Sequence, residues 1–89
     1  MEFHITNNEV HTRGDIFRRG PSGGDVIVKE DIAGGTRFYL SEGRYYYRYT
    51  STGAGEYAIS LQASNGVTFS GPEDKTAPEI IDTFNFRVI

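Results

Sequence analysis

The chain has 89 residues, no cysteine and a formal net charge of −3. A chain of this length forms one small domain, so we expect residues 1–89 to share a single core that buries somewhat over ~60% of the unfolded surface. Without cysteine, neither disulfides nor thiolate-bound metals can add stability, which leaves self-association as the natural addition. The acidic balance argues against bulk attraction to nucleic acid or to an anionic membrane.

The beginning of the chain carries no targeting signal that we can identify. It lacks the basic start and the apolar stretch of a signal peptide, and no apolar run anywhere approaches the ~20 residues of a membrane span. We therefore expect no membrane insertion. We also expect no export by a signal peptide, unless the chain is a mature form or an excised domain.

Apolar and polar residues alternate in the first half of the chain, as they do in strands. The pattern predicts a strand over residues 2–6 and a weaker one over residues 9–18. Residues 25–31 contain a β-branched run that predicts a strand buried on both faces. A further strand is expected over residues 36–40, joined by a turn at residues 41–43 to the strand that follows.

Residues 43–62 hold five of the six tyrosines, with arginines between them. Because successive side chains of a strand point to opposite faces, odd and even positions separate here into an apolar face and a polar face. The glycines at positions 53 and 55 predict a hairpin whose loop is residues 51–55 and whose register pairs Tyr49 with Tyr57. The apolar face would then hold Tyr45, Tyr47, Tyr49, Tyr57, Ile59 and Leu61.

The last third of the chain continues the same pattern. Residues 64–66 suit a three-residue hairpin loop with Gly66 in the left-handed conformation, which aligns Leu61 with Phe69. A long closing strand is expected from Ile80 to Val88, and no window supports an ordinary helix because Pro78 interrupts the best candidate. The expected fold is an all-β antiparallel β-sandwich or jelly-roll-like barrel of seven to eight strands. Its expected core includes Phe3, Val26, Val28, Phe38, Tyr47, Ile59, Leu61, Phe69, Phe84 and Phe86.

The polar face of the predicted hairpin is the candidate binding site. Tyrosine offers a rigid amphipathic surface, and arginine offers a planar fork for carboxylate, sulfate or phosphate. If residues 36–40 pair with the hairpin, five such side chains share one face, and Arg37 lies opposite Arg48. The alternative is that these residues simply cover a solvated sheet. The candidate binding residues are Arg37, Tyr39, Arg44, Tyr46 and Arg48.

Catalytic patterns are absent from the sequence. There are two histidines, His4 and His11, and no serine has the context of a nucleophile elbow. We expect no enzyme activity and no cofactor. Glu9 and His11 share one strand face with Asp15 nearby, and the acidic loops could offer oxygen ligands to a structural calcium ion, but no spacing matches an EF-hand or a zinc site, and we assign no metal.

Two classes of function are consistent with this sequence. The first is a non-catalytic binding module that recognises carbohydrate or an acidic protein surface through its Arg/Tyr face. The alternative is a structural or assembly protein, such as a small β subunit of a shell, a fibre or a particle decoration. In that case the chain forms a homo-oligomer, and subunit contacts stabilise its small core.

Overall fold

The computed structural model describes residues 1–89 as five antiparallel strands without a helix. The all-β, antiparallel prediction is confirmed. The predicted number of seven to eight strands is not, because five strands form one sheet that curls into a half-barrel. The strands are β1 (Glu2–Ile5), β2 (His11–Arg18), β3 (Val26–Ala33), β4 (Gly43–Gln62) and β5 (Thr68–Val88).

The predicted hairpin is wrong, because residues 43–62 form the single 20-residue strand β4. β5 pairs with β4 along one edge, whereas β2 and β1 pair in turn with the first and second halves of the other edge. Both halves of β4 thus find backbone partners in other strands, which removes the need to pair with each other. The register with β5 shifts between Ser51 and Gly55, so the predicted loop is instead an irregular stretch within one strand.

Gly53 shows why glycine is needed at this irregular stretch. Its φ is 90°, a conformation that other residues rarely adopt. A Cβ atom on Gly53 would also lie 2.1 Å from the carbonyl oxygen of Glu9. The glycine therefore allows the connection between β1 and β2 to lie directly against β4.

The two halves of β4 meet through side chains instead of backbone pairing. The backbone partner of Tyr49 on β5 is Asp82, and that of Tyr57 is Lys75. The hydroxyls of Tyr49 and Tyr57 nevertheless lie 2.9 Å apart in the core. On β5, the Lys75 ammonium group binds the Asp82 carboxylate at 3.1 Å. Each long strand thus carries a contact between its own two halves.

The turn after β4 and the closing strand largely follow the sequence prediction. Gly66 has a φ of 84°, and the Ala63 amide donates to the Val67 carbonyl oxygen at 2.7 Å. Leu61 pairs with Ser70 instead of Phe69, because the register shifts between Leu61 and the next residue. The closing strand is confirmed, although it forms only the second half of the longer β5.

Residues 36–40 do not form the predicted strand beside β4, since both edges of β4 are already occupied. They lie next to the N-terminus, where the Met1 amino group donates to the Phe38 carbonyl oxygen and the Phe38 amide donates to the Met1 carbonyl oxygen, each at 2.9 Å. Leu40 is still buried. The segment therefore contributes to the core without pairing with β4.

The core lies on the face of the sheet that carries the odd-numbered residues of β4. The core prediction is wrong for two residues, because Val26 is 61% exposed and Phe69 is 36% exposed. Val26 belongs to the edge strand β3, which pairs only with β2, and Val28 and Phe38 pack at the margin of the core. The buried apolar residues are Phe3, Val10, Ile16, Ile32, Leu40, Tyr45, Tyr47, Tyr49, Tyr57, Ile59, Leu61, Ala77, Phe84, Phe86 and Val88.

Candidate functional site

Arg44, Tyr46 and Arg48 lie on the outer face of β4, opposite the core. Tyr46 is paired in the sheet with Phe17 of β2 and with Asn85 of β5. The structure thus brings together three of the five candidate residues and adds neighbours from both adjacent strands. We call this surface the outer arginine face, formed by Phe17, Arg19, Arg44, Tyr46, Arg48, Asn85 and Arg87.

Tyr46 is held by contacts with three side chains. The Phe17 ring stacks on it with centroids 4.9 Å apart and planes 7° apart. The guanidinium group of Arg19 lies 4.5 Å from its centroid, and its hydroxyl donates to the Asp25 carboxylate at 3.2 Å. Desolvation is the largest cause that raises the pKa of Tyr46, and the hydrogen bond to Asp25 is the second. The ring therefore acts as a support for Arg19 more than as a free surface.

The arginines of this face are largely unpaired. Arg19 donates a hydrogen bond to the side-chain oxygen of Asn85. Arg44 is the direct cross-strand neighbour of Arg87, yet neither guanidinium group forms an ion pair or a hydrogen bond. Arg48 also lacks an ion pair, although Asp15 is its neighbour on β2. None of these arginines forms an ion pair, although Asp15 and Asp25 lie beside them.

Three of these arginines line one shallow depression of about 540 Å³, which we call the arginine depression. Arg19 comes from the residues after β2, Arg44 from β4 and Arg87 from β5. No acidic residue lines it, although the chain contains 12 aspartates and glutamates. The remaining lining residues are Tyr45, Ser70, Gly71, Asn85 and Phe86.

Arg37 and Tyr39 are not part of this surface. They belong to the segment that runs beside Met1, and Tyr39 is 77% exposed. The expected juxtaposition of Arg37 and Arg48 is therefore not formed. Sequence reasoning missed Arg19 and Arg87, whose cross-strand position depends on the order of the strands. The signal that could have found Arg87 is the alternation along the closing strand, which puts this residue on the face opposite Phe86 and Val88.

A larger groove of about 800 Å³ lies along β1, the connection that follows it and the start of β2. Its polar residues include His4, His11 and Arg13. No group of three or more His, Cys, Asp or Glu side chains is arranged so that it could hold a metal ion, so Glu9, His11 and Asp15 form no ligand cluster. The Asp15 carboxylate instead accepts a hydrogen bond from the Asp31 amide at 3.0 Å.

Comparison with protein families, with curated proteins and with solved structures found no match to this chain. The structure contains no helix long and apolar enough to cross a membrane. Any functional argument therefore rests on the geometry and charge of the outer arginine face.

Proposed function

We propose that this protein is a non-catalytic binding module whose outer arginine face docks an acidic protein surface or an acidic carbohydrate. The observation that carries the proposal is the grouping of Arg19, Arg44, Arg48 and Arg87 around Tyr46 in a chain of net charge −3. Guanidinium groups bind carboxylates and other oxyanions through paired hydrogen bonds, and arginine and tyrosine are enriched at binding hot spots.

The contacts of Tyr46 favour an acidic partner over a neutral sugar. Sugars commonly use an exposed aromatic ring, but Phe17 and Arg19 already contact this ring. A stacked sugar would have to compete with them. Oxyanions have direct access to the unpaired guanidinium groups of Arg44 and Arg48. Electrostatic complementarity would then provide most of the specificity and would weaken with added salt.

The test is a double variant, Tyr46→Ser with Arg48→Ser, compared with Arg37→Ser with Tyr39→Ser. The control pair removes the same residue types from a surface outside the site. Binding to poly-L-glutamate, to hyaluronan and to neutral dextran is measured by isothermal titration calorimetry at two salt concentrations. We expect the first variant to lose binding to the acidic polymers and the control to retain it. Equal binding by both variants would contradict the proposal.

A second candidate function is assembly, favoured by the exposed apolar residues on the edge strands β3 and β5. Ile80 and Ile81 of β5 are 85% and 56% exposed, and Val26 and Ile27 of β3 are also exposed. Each edge strand pairs on one side only, and the two run in opposite directions, so β5 of one copy could extend the sheet at β3 of the next. A trimeric or larger mass by light scattering would favour assembly, and a monomeric mass would favour the module.

A further inference from the structure

We infer that the arginine depression binds a tetrahedral oxyanion, namely a sulfate or phosphate ester group. This inference rests on the proposed function and specifies the ligand chemistry at one part of the outer arginine face. It follows from the position of Arg19, Arg44 and Arg87 around one concave surface, from the absence of acidic residues there, and from the way in which Arg19 is held in place.

The number of converging guanidinium groups distinguishes a tetrahedral oxyanion from a carboxylate. A carboxylate has two oxygens in one plane, and a single guanidinium fork can bind both of them. A sulfate or phosphate ester has three terminal oxygens that point in different directions. Three guanidinium groups from three separate parts of the chain can each approach a different edge of such a group.

One of the three arginines is already positioned for binding. Arg19 lies over the Tyr46 ring and donates to Asn85, so its guanidinium group has lost much of its freedom before a ligand arrives. Preorganisation of this kind lowers the entropic cost of binding. The volume of about 540 Å³ falls within the range of small-molecule sites, although the depression is shallow.

Cross-strand repulsion gives the unliganded site a reason to bind an anion. Arg44 and Arg87 are directly opposite each other on paired strands, and like charges in this arrangement destabilise a sheet. Neither has a carboxylate partner that would reduce the repulsion. An oxyanion between them would replace this repulsion with two attractive contacts, and binding would stabilise the folded state.

The experiment titrates the protein with sodium sulfate and with sodium phosphate, using sodium chloride at equal ionic strength as the reference. The Nε–Hε resonances of the arginines are followed by NMR, and the melting temperature is measured in parallel. We expect the resonances of Arg19, Arg44 and Arg87 to shift with one saturating curve, while that of Arg37 changes little. The melting temperature should rise more with sulfate than with chloride.

Two variants with the same chemical change sharpen the result. Arg87→Gln removes a charge from the depression, whereas Arg37→Gln removes one from an exposed position outside the outer arginine face. We expect Arg87→Gln to weaken sulfate binding about tenfold or more, in keeping with the loss of a charged hydrogen bond, and Arg37→Gln to leave it nearly unchanged. Without sulfate, Arg87→Gln should be at least as stable as the parent, because the repulsion with Arg44 is gone.

Ester probes then identify the carrier of the group. Glucose 6-sulfate and O-phosphoserine are compared with glucose and serine, and tighter binding of either ester than of the inorganic ion supports the inference. Uniform shifts of all arginine resonances, or equal effects of the two variants on sulfate binding, would overturn the inference.

The results also separate this inference from the proposed function. If sulfate does not bind while the Tyr46→Ser/Arg48→Ser variant still loses poly-L-glutamate binding, the ligand assignment is wrong and the proposed function stands. If sulfate binds but no acidic polymer does, the ligand assignment stands and the proposed function is wrong.

Discussion

The two faces of β4 place the same residue type in opposite roles. On the inner face, Tyr45, Tyr47 and Tyr49 are buried, whereas Tyr46 lies on the outer face between charged and aromatic side chains. The inner hydroxyls all have partners: that of Tyr45 donates to the Ser41 carbonyl oxygen at 2.7 Å, and that of Tyr47 donates to a backbone carbonyl at the same distance. No buried side-chain polar atom in the molecule lacks a hydrogen bond.

This difference shows what a tyrosine needs in each place. Inside, its ring supplies apolar packing, and its hydroxyl is tolerated because a nearby acceptor or a second hydroxyl satisfies it. Outside, the ring of Tyr46 orients Arg19, so Tyr46 contributes to the arrangement of the surface side chains more than to the stability of the core. Substitutions on the inner face should therefore change folding stability, and substitutions on the outer face should change binding.

The largest effect is expected from Tyr47→Ala compared with Tyr46→Ala. Tyr47 is fully buried and stacks on Phe3 with centroids 4.0 Å apart, so its truncation leaves a cavity. We expect a loss of about 3 to 5 kcal/mol in the free energy of unfolding, measured by urea denaturation. Tyr46→Ala should cost about 1 kcal/mol or less, in the range of aromatic and cation–π pairs at exposed sites.

Leu61→Ala serves as an internal reference for that comparison. Leu61 is also fully buried on the inner face, and its truncation should cost about 2 to 5 kcal/mol. Similar losses for Tyr46→Ala and Tyr47→Ala would contradict the assignment of the two faces.

The division of β4 into two faces could be predicted from the sequence, because side chains alternate whether the chain is one strand or a hairpin. All six residues assigned to the apolar face are buried. The continuity of the strand could not be predicted in the same way. Glycines at positions 53 and 55 are compatible with a turn or with an irregular strand, and the choice depends on partners in β1, β2 and β5 that are distant in sequence.

A second, smaller effect concerns pH. Burial raises the pKa of Tyr47 to about 12, because the phenolate is poorly solvated in the core. The unfolded state has a tyrosine pKa of about 10, so the folded state binds this proton more tightly. The resulting stability is fully present below about pH 10 and is lost as the pH rises to about 12, a total of about 3 kcal/mol. Burial also raises the pKa of Tyr49, in the same direction.

Urea denaturation at a series of pH values between about 8 and 12 measures this loss. Tyr47→Phe is the matched variant, since it keeps the ring and removes the ionisable group. Its stability should fall less steeply over the alkaline range than that of the parent. Identical slopes would show that Tyr47 does not carry the pH dependence.

The candidate site was predictable only within β4. Arg44, Tyr46 and Arg48 share a face by alternation alone, and the structure keeps them together. Arg37 would join them only if its segment paired with β4, but that segment lies beside the N-terminus. Arg87 joins the face because β5 returns along the full length of β4, a long-range pairing that local patterns do not specify.

The smallest effect compares polar pairs on the inside and outside of the fold. The hydroxyls of Tyr49 and Tyr57 form a buried pair, whereas Arg13 and Asp31 form an ion pair whose side chains are 63% and 74% exposed. In a double-mutant cycle, Tyr49→Phe or Tyr57→Phe alone should each cost about 1 to 2 kcal/mol, because the remaining buried hydroxyl loses its partner. Removing both hydroxyls should cost less than the sum of the single changes, with a coupling energy of about 1 kcal/mol.

The cycle for Arg13→Ala and Asp31→Ala should give a coupling energy near zero, because solvent screens an exposed ion pair. Urea denaturation of all six variants measures both cycles. A coupling energy between Arg13 and Asp31 as large as that between Tyr49 and Tyr57 would show that the exposed ion pair contributes to stability as much as the buried hydroxyl pair does.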